Sequence, residues 1–363
     1  MNLRPVCARA KAVRRPFAVV ALILLAAGGA AIGQEGAQAK QSSSSPRLVS
    51  RPDLFETLVN PSCSHVIDEI QRRPGELVPD ERVLAWIRGY RQGGGIPHRF
   101  FFSKWPVISD TYGVFVRDVD AGFTQAFEPS LDFKFHGYRN GVIVMAHKNG
   151  TLYSGLTGIA FEGPDQGKRL KPVPNIPLSW GYWARAYPDS VTYQLFEKYQ
   201  RSEYPAERSK EPSAASRREV RKDLSGESLV LGVELDGKAR AYPIEELQRS
   251  SGVVRDRFGT KDIVVLWYAP TRTAAAYAPH TTAAPNRAVS LVYDGSDPIA
   301  PFRDEETSSW WGIEGRARSG PIAEAKDDES KTLEWLPAVQ CKWFAWSLEY
   351  PETEVRRPGE PAR

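Results

Sequence analysis

The feature that most constrains this chain is a segment that occurs twice. Residues 180–193 read WGYWARAYPDSVTY and residues 343–355 read WFAWSLEYPETEV, so Trp, two residues, Trp, three residues, Tyr-Pro, an acid and a hydroxyl recur in one order. Two further blocks pair in the same way: Val107 to Gly113 (VISDTYG) with Val253 to Gly259 (VVRDRFG), and Gly158 to Pro164 (GIAFEGP) with Gly315 to Pro321 (GRARSGP). The blocks keep their order while the spacing between copies grows, as loop insertions in the later copy would produce. A solenoid needs several copies of a unit of tens of residues. Two long copies instead imply two related β-rich units from an internal duplication.

Within the doubled segment, Trp180, Ala184 and Tyr187 fall on one helical stripe beside Trp183, and Trp343, Trp346 and Tyr350 repeat it. Aromatic rings at that spacing belong to a core. Each copy is expected to be a short helix that closes its unit, with the Tyr before Pro188 or Pro351 held out of helical geometry.

Around these segments the pattern is that of strands. Val114 to Val116, Phe123 to Phe127, Leu131 to Phe135 and Val142 to Met145 are punctuated by glycines, with the turn dipeptides Asn140-Gly141 and Asn149-Gly150. In the second copy Leu229 to Leu235, an Asp236-Gly237 turn and Ala239 to Tyr242 predict a hairpin, and Ile263 to Tyr268 a buried strand. The fold class is α+β and β-dominated. The expected organisation is a signal peptide at 1–33, a Ser-rich linker at 34–52, a helical N-terminal segment at 53–95, a first β-rich repeat at 96–200, a charged linker or excursion at 201–228, a second repeat at 229–356 and a tail at 357–363. The helical reading of 53–95 rests on Leu54, Leu58, Val66, Ile67, Ile70 and then Val83, Leu84, Trp86, Ile87, Tyr90, ended by Gly93-Gly94-Gly95. A further helix is expected from about Ser190 to Tyr199.

Residues 1–33 carry the layout of an export signal: Arg4, Arg9, Lys11, Arg14 and Arg15, an apolar run from Phe17 to Ile32, then small residues. The run is short for a span of roughly 20 residues, which favours cleavage near Ala31–Gly33 and a secreted or periplasmic protein over a retained anchor. Removal of the signal leaves Cys63 and Cys341, whose pairing spacing cannot decide. The balance of 48 basic and 44 acidic residues, net +4, lacks the clustered cations of nucleic-acid binding.

Ala239-Arg240-Ala241-Tyr242-Pro243, Val254 to Asp256, Asp304 through Trp311 with Gly315-Arg316-Ala317, and the Trp and Tyr-Pro ending resemble the bacterial domain of unknown function 3179 family over roughly residues 90–355. The resemblance implies no particular activity. Many members of that family carry Tyr-Cys-Pro-Leu-Cys-Gly after the central strand, where this chain reads Tyr268-Ala269-Pro270-Thr271-Arg272-Thr273, so a thiol or metal role at that segment is not implied here.

Motifs for catalysis are missing. The five His offer no His-x-x-x-His pair, Ser154-Gly155-Leu156-Thr157-Gly158 lacks the Gly two before the Ser of a nucleophile elbow, and Gly93-Gly94-Gly95 precedes no Lys-Ser/Thr. No metal and no cofactor is expected. The reading is a ligand-binding module, for a small molecule or glycan, with its site near the junction of the repeats. The 10 Trp, 14 Tyr and 15 Phe suggest stacking platforms, and the ligand-facing set is Trp311, Trp310, Tyr153, Tyr268, Arg272 and Asp304, with the outward one of Trp310 and Trp311 foremost. The alternatives are an extracytoplasmic enzyme, such as a hydrolase, built on Asp110, His136, His147 and Arg139, and a structural protein that meets a partner through 201–228.

Overall fold

The computed structural model describes residues 46–72, 77–88, 92–99, 105–194 and 206–357. The signal at 1–33, most of the Ser-rich linker and the tail beyond 357 lie outside the described residues. Short strands dominate, and the described α-helices are Val66–Arg72, Trp180–Ala186, Ala206–Ser216, Ile244–Arg249 and Trp343–Glu349. No helix among the described residues is long and apolar enough to cross a membrane.

The two halves follow one strand plan. In the first, the hairpin Arg82–Arg88 and Gln92–Pro97 is flanked by Asn175–Ser179, antiparallel to its first strand, and by Val191–Tyr193, parallel to its second. In the second, the hairpin Leu229–Leu235 and Lys238–Pro243 is flanked by Ala338–Lys342, antiparallel, and Glu354–Val355, parallel. Each Trp helix joins its two flanking strands. The ladder Val107–Ser109, Val114–Asp118, Phe123–Phe127 corresponds to Val253–Phe258, Lys261–Tyr268, Thr273–Thr281. The run of strands from Phe133 to Glu162 likewise matches the run from Leu291 to Ser319. Asn140 and Asp236 adopt positive φ in their hairpin turns, as the Asn-Gly and Asp-Gly dipeptides predict.

Burial shows how the halves interlock. Alternate residues of the first hairpin face opposite ways: Leu84 and Trp86 pack with Ile108, Phe115 and Ala126 of their own half, whereas Val83 and Ala85 join Val264, Leu266, Tyr277 and Trp311 of the other. The second hairpin does the same, with Leu231 and Val233 against Val265 and Trp267 of its own half and Val230 against the core of Val107, Val116, Phe123 and Tyr138. Each Trp helix lies on the exchanged side: Trp180 and Trp183 are buried with the second half, Trp343 and Trp346 with the first.

The helices seat on glycines. A Cβ on Gly95 would stand 2.5 Å from Trp183 Cδ1, and one on Gly232 would stand 2.2 Å from Trp346 Cε3, so only a bare backbone admits the indoles. Ser179 caps the first helix, its Oγ accepting from Tyr182 N at 3.4 Å. Both helices end at the Tyr before Pro, where Tyr187 (φ −142, ψ 59) and Tyr350 (φ −125, ψ 77) leave helical geometry and stack on Trp183 and Trp346 at 4.3 and 4.4 Å.

Three sequence expectations need correction. Residues 53–95 are helical only at Val66–Arg72; Arg82–Arg88 and Gln92–Pro97 are strands, and the three glycines sit within the second of them. A strand covered on both faces reads as a continuous apolar run, and the run VLAWI has no period to separate it from a helix. The repeated plan therefore opens at Arg82, ahead of residue 96. Past Ser190 the chain forms the strand Val191–Tyr193, and the rest of the helix expected there lies outside the described residues. Within 201–228, Ala206–Ser216 is a helix that buries Ser209, Ser213 and Ser216, with Ser216 Oγ accepting from Gly141 N at 2.8 Å, so this stretch packs on the first half. Cys63 and Cys341 are both free thiols.

The turn into Phe123–Phe127 is pinned by Asp118, which accepts from Ala121 N and Ile143 N, both at 2.9 Å. Its burial pushes the carboxyl up to about 7, more than the two backbone donors hold it down. The folded chain thus keeps a proton that the unfolded chain has released, and this group's contribution is full below about pH 4 and lost as pH rises toward 7. Urea midpoints of wild type and Asp118→Asn across that range should shift in the variant's favour as pH rises. Independently, Trp346→Ala removes the ring seated on Gly232 and should cost about 3–5 kcal/mol in urea unfolding.

Candidate functional site

The edge strands that carry the exchange, Asn175–Ser179 and Ala338–Lys342, come together over Phe123–Phe127 and Thr273–Thr281 and leave a cavity of about 240 Å³. Its polar wall holds Arg82, His98, Arg117, Thr124, Asn175, Arg272 and Gln340; its apolar wall includes Ile176, Pro177, Leu229, Trp335 and Val339. No carboxylate is among these lining residues. The cavity is thus cationic and built from equivalent elements of both halves.

The polar wall is cross-tied by backbone carbonyls rather than by acids. Arg82 Nη1 donates to Thr271 O, and Nη2 to Arg272 O at 3.5 Å. Gln340 Nε2 donates to the same Arg272 O at 3.3 Å, while its Oε1 accepts from Ala274 N at 2.8 Å. Thr273 Oγ1 donates to Pro177 O at 2.5 Å, which fastens the two halves at the cavity edge. Arg117 Nη1 donates to Phe123 O at 3.3 Å. Burial, with Arg272 and Arg117 nearby, brings Arg82 down to about 10. Burial, with Arg117 and Arg82, holds His98 well below the usual imidazole range, so it faces the cavity neutral. Thr124 Oγ1 is buried without a hydrogen-bond partner.

One backbone detail singles out Arg272. It and Gly122 both line the cavity, each immediately before a corresponding strand, Thr273–Thr281 and Phe123–Phe127. Both are left-handed, Gly122 at φ 74 and Arg272 at φ 50. Glycine takes this conformation without penalty; a residue with a Cβ pays for it. An arginine is kept where the other half uses glycine.

Of the residues named from the sequence, only Arg272 enters this cavity. Trp311 is fully buried in the core, and Trp310 is the more exposed of the pair, so Trp310 is the outward one. Tyr153 is buried with its hydroxyl on Asp165 Oδ2 at 3.3 Å, and Tyr268 with its hydroxyl on Pro298 O at 2.9 Å. Asp304 is a buried turn anchor that accepts from Ser290 N at 2.9 Å and from Thr307 N at 3.1 Å. Asp110 is buried and takes the Tyr193 hydroxyl at 2.5 Å; its counterpart Asp256 takes Arg240 at 2.9 Å and Arg356 at 3.2 Å. Both aspartates anchor a closing strand. His136 falls in the bulge between Phe135 and Gly137 and meets Ser50 Oγ at 3.1 Å, whereas His147 lies opposite Phe133 and within 3.8 Å of Asp132. Arg139 stands over the Phe161 ring and 3.9 Å from Glu349. The residues of the enzyme reading have separate partners and do not converge.

Arg82, His98, Arg117, Thr124, Asn175 and Gln340 were not foreseen. Five lie on five different strands and His98 follows a sixth, Gln92–Pro97, and no motif joins them. The alignment of the halves could have flagged Arg272 against Gly122. Because the left-handed backbone favours glycine, Arg272→Gly should keep or raise stability, by up to about 1 kcal/mol, as read from urea or thermal unfolding.

No curated protein and no solved structure matches this chain. Residues 106–353, more than half of the sequence, match the family described as protein of unknown function (DUF3179), and the chain belongs to that family.

Proposed function

We propose that this protein binds a small anionic ligand in the cavity between its halves. The observation that carries the reading is the convergence of Arg82, Arg117 and Arg272 on a space whose described lining holds no carboxylate. Arg82 and Arg272 pair with no described carboxylate, and an anion that enters would find their guanidinium donors already in place. The apolar wall would hold the uncharged part of such a ligand. The glycan variant has less support, since Trp311, Tyr153 and Tyr268 are buried and form no exposed platform. The basic and then apolar layout of residues 1–33 supports a place of action outside the cytoplasm, secreted or periplasmic.

A ligand that binds only the folded chain raises its melting temperature with concentration. Small organic anions should do so for this protein at low ionic strength, with the effect shrinking as inert salt is added, and a neutral sugar should leave the melt unchanged. A protein stabilised by the sugar and indifferent to every anion would sink the proposal.

A further inference from the structure

We infer that the ligand carries a doubly charged oxyanion head, of the phosphomonoester kind, on a compact apolar body. This rests on the reading of the cavity as an anion site and narrows it. The head is argued from the donors. Arg82 and Arg117 come from strands of the first half and Arg272 from the turn before Thr273–Thr281 in the second, so guanidiniums approach one space from both halves. Against Arg82 and Arg272 alone, a singly charged carboxylate offers two oxygens and leaves positive charge in excess, whereas a phosphoryl dianion offers three oxygens and a second charge. Arg82 and Arg272 form no ion pair with any described carboxylate, and both already lend to the wall through the Arg272 carbonyl, which accepts from Arg82 Nη2. Burial first, and then the Arg272 and Arg117 guanidiniums, lower Arg82, which places the three groups in one neighbourhood. Thr124 Oγ1, buried without a partner, supplies a further donor to the space.

The body is argued from the apolar part of the lining. Ile176, Pro177, Leu229, Trp335 and Val339 offer apolar contact and no charge. A volume of about 240 Å³ leaves room beyond a phosphoryl group for a small ring or short chain only. Arg272 stands in a conformation that favours glycine, the residue its counterpart Gly122 is, and a side chain that serves the head accounts for an arginine there.

Titration calorimetry at low salt with phenyl phosphate, benzoate and inorganic phosphate tests this on the full chain and on Arg272→Gly. Phenyl phosphate should bind at least about tenfold more tightly than benzoate, which lacks the second charge, and than inorganic phosphate, which lacks the body. Arg272→Gly should lose about tenfold toward phenyl phosphate and less toward benzoate, while its melting temperature does not fall. Equal affinities for phenyl phosphate and benzoate, or an Arg272→Gly variant with undiminished phenyl phosphate binding, would overturn the inference and leave the anion site standing. Tighter binding of inorganic phosphate than of phenyl phosphate would overturn the apolar body. If none of the three binds, the anion reading itself falls.

Discussion

The seating of Trp183 on Gly95 and of Trp346 on Gly232 is the contact on which the rest of the structure depends. Each indole lies on a strand whose missing side chain leaves room for it, and each sits on the side of its sheet that faces the other half. A large aromatic buried this way removes much apolar area from water. Because the layers alternate between the halves, each half lacks a complete core when considered alone. Folding is therefore expected to be cooperative across the chain, with long-range pairings that must form before the cores close.

Much of this was legible in the sequence, and for identifiable reasons. The turn dipeptides and the alternation of Val114 to Phe127 marked strands because each has a local signature. The Trp and Tyr stripe was read as core from spacing alone, and Tyr-Pro marked where each helix ends. The failure at Val83 to Ile87 was physical: buried on both faces, that strand shows no polar residue at alternate positions. Asp110 and Asp304 looked like chemistry because acids in turns and at active sites share a composition. Only the fold reveals that they are held by Tyr193 and by the Ser290 and Thr307 amides.

The candidate site was the least legible part. Its arginines have no spacing in common, and they meet only because equivalent edge strands of the two halves converge. Arg272 was chosen from the sequence, yet the signal that matters at that position is its backbone angle. The contrast with other arginines of the chain is informative. Arg240 is balanced by Asp256 and Glu354, and Arg318 by Glu314, so those cations are structural. Arg82 donates to the Thr271 and Arg272 carbonyls, and neither it nor the exposed Arg272 has a described carboxylate partner.

The pairing of Gly122 with Arg272 has a consequence for how a ligand would lie. A cavity framed by equivalent elements of two similar halves would, with identical side chains, accept a ligand in either of two opposed poses. Here one half contributes an arginine where the other contributes no side chain, and Leu229 begins one hairpin strand where Arg82 begins the other. The two ends of the lining therefore differ: Arg82 and Arg272 stand at one, Gly122 and Leu229 at the other. On the proposed reading, a repeated scaffold would thereby favour one ligand pose over its opposite.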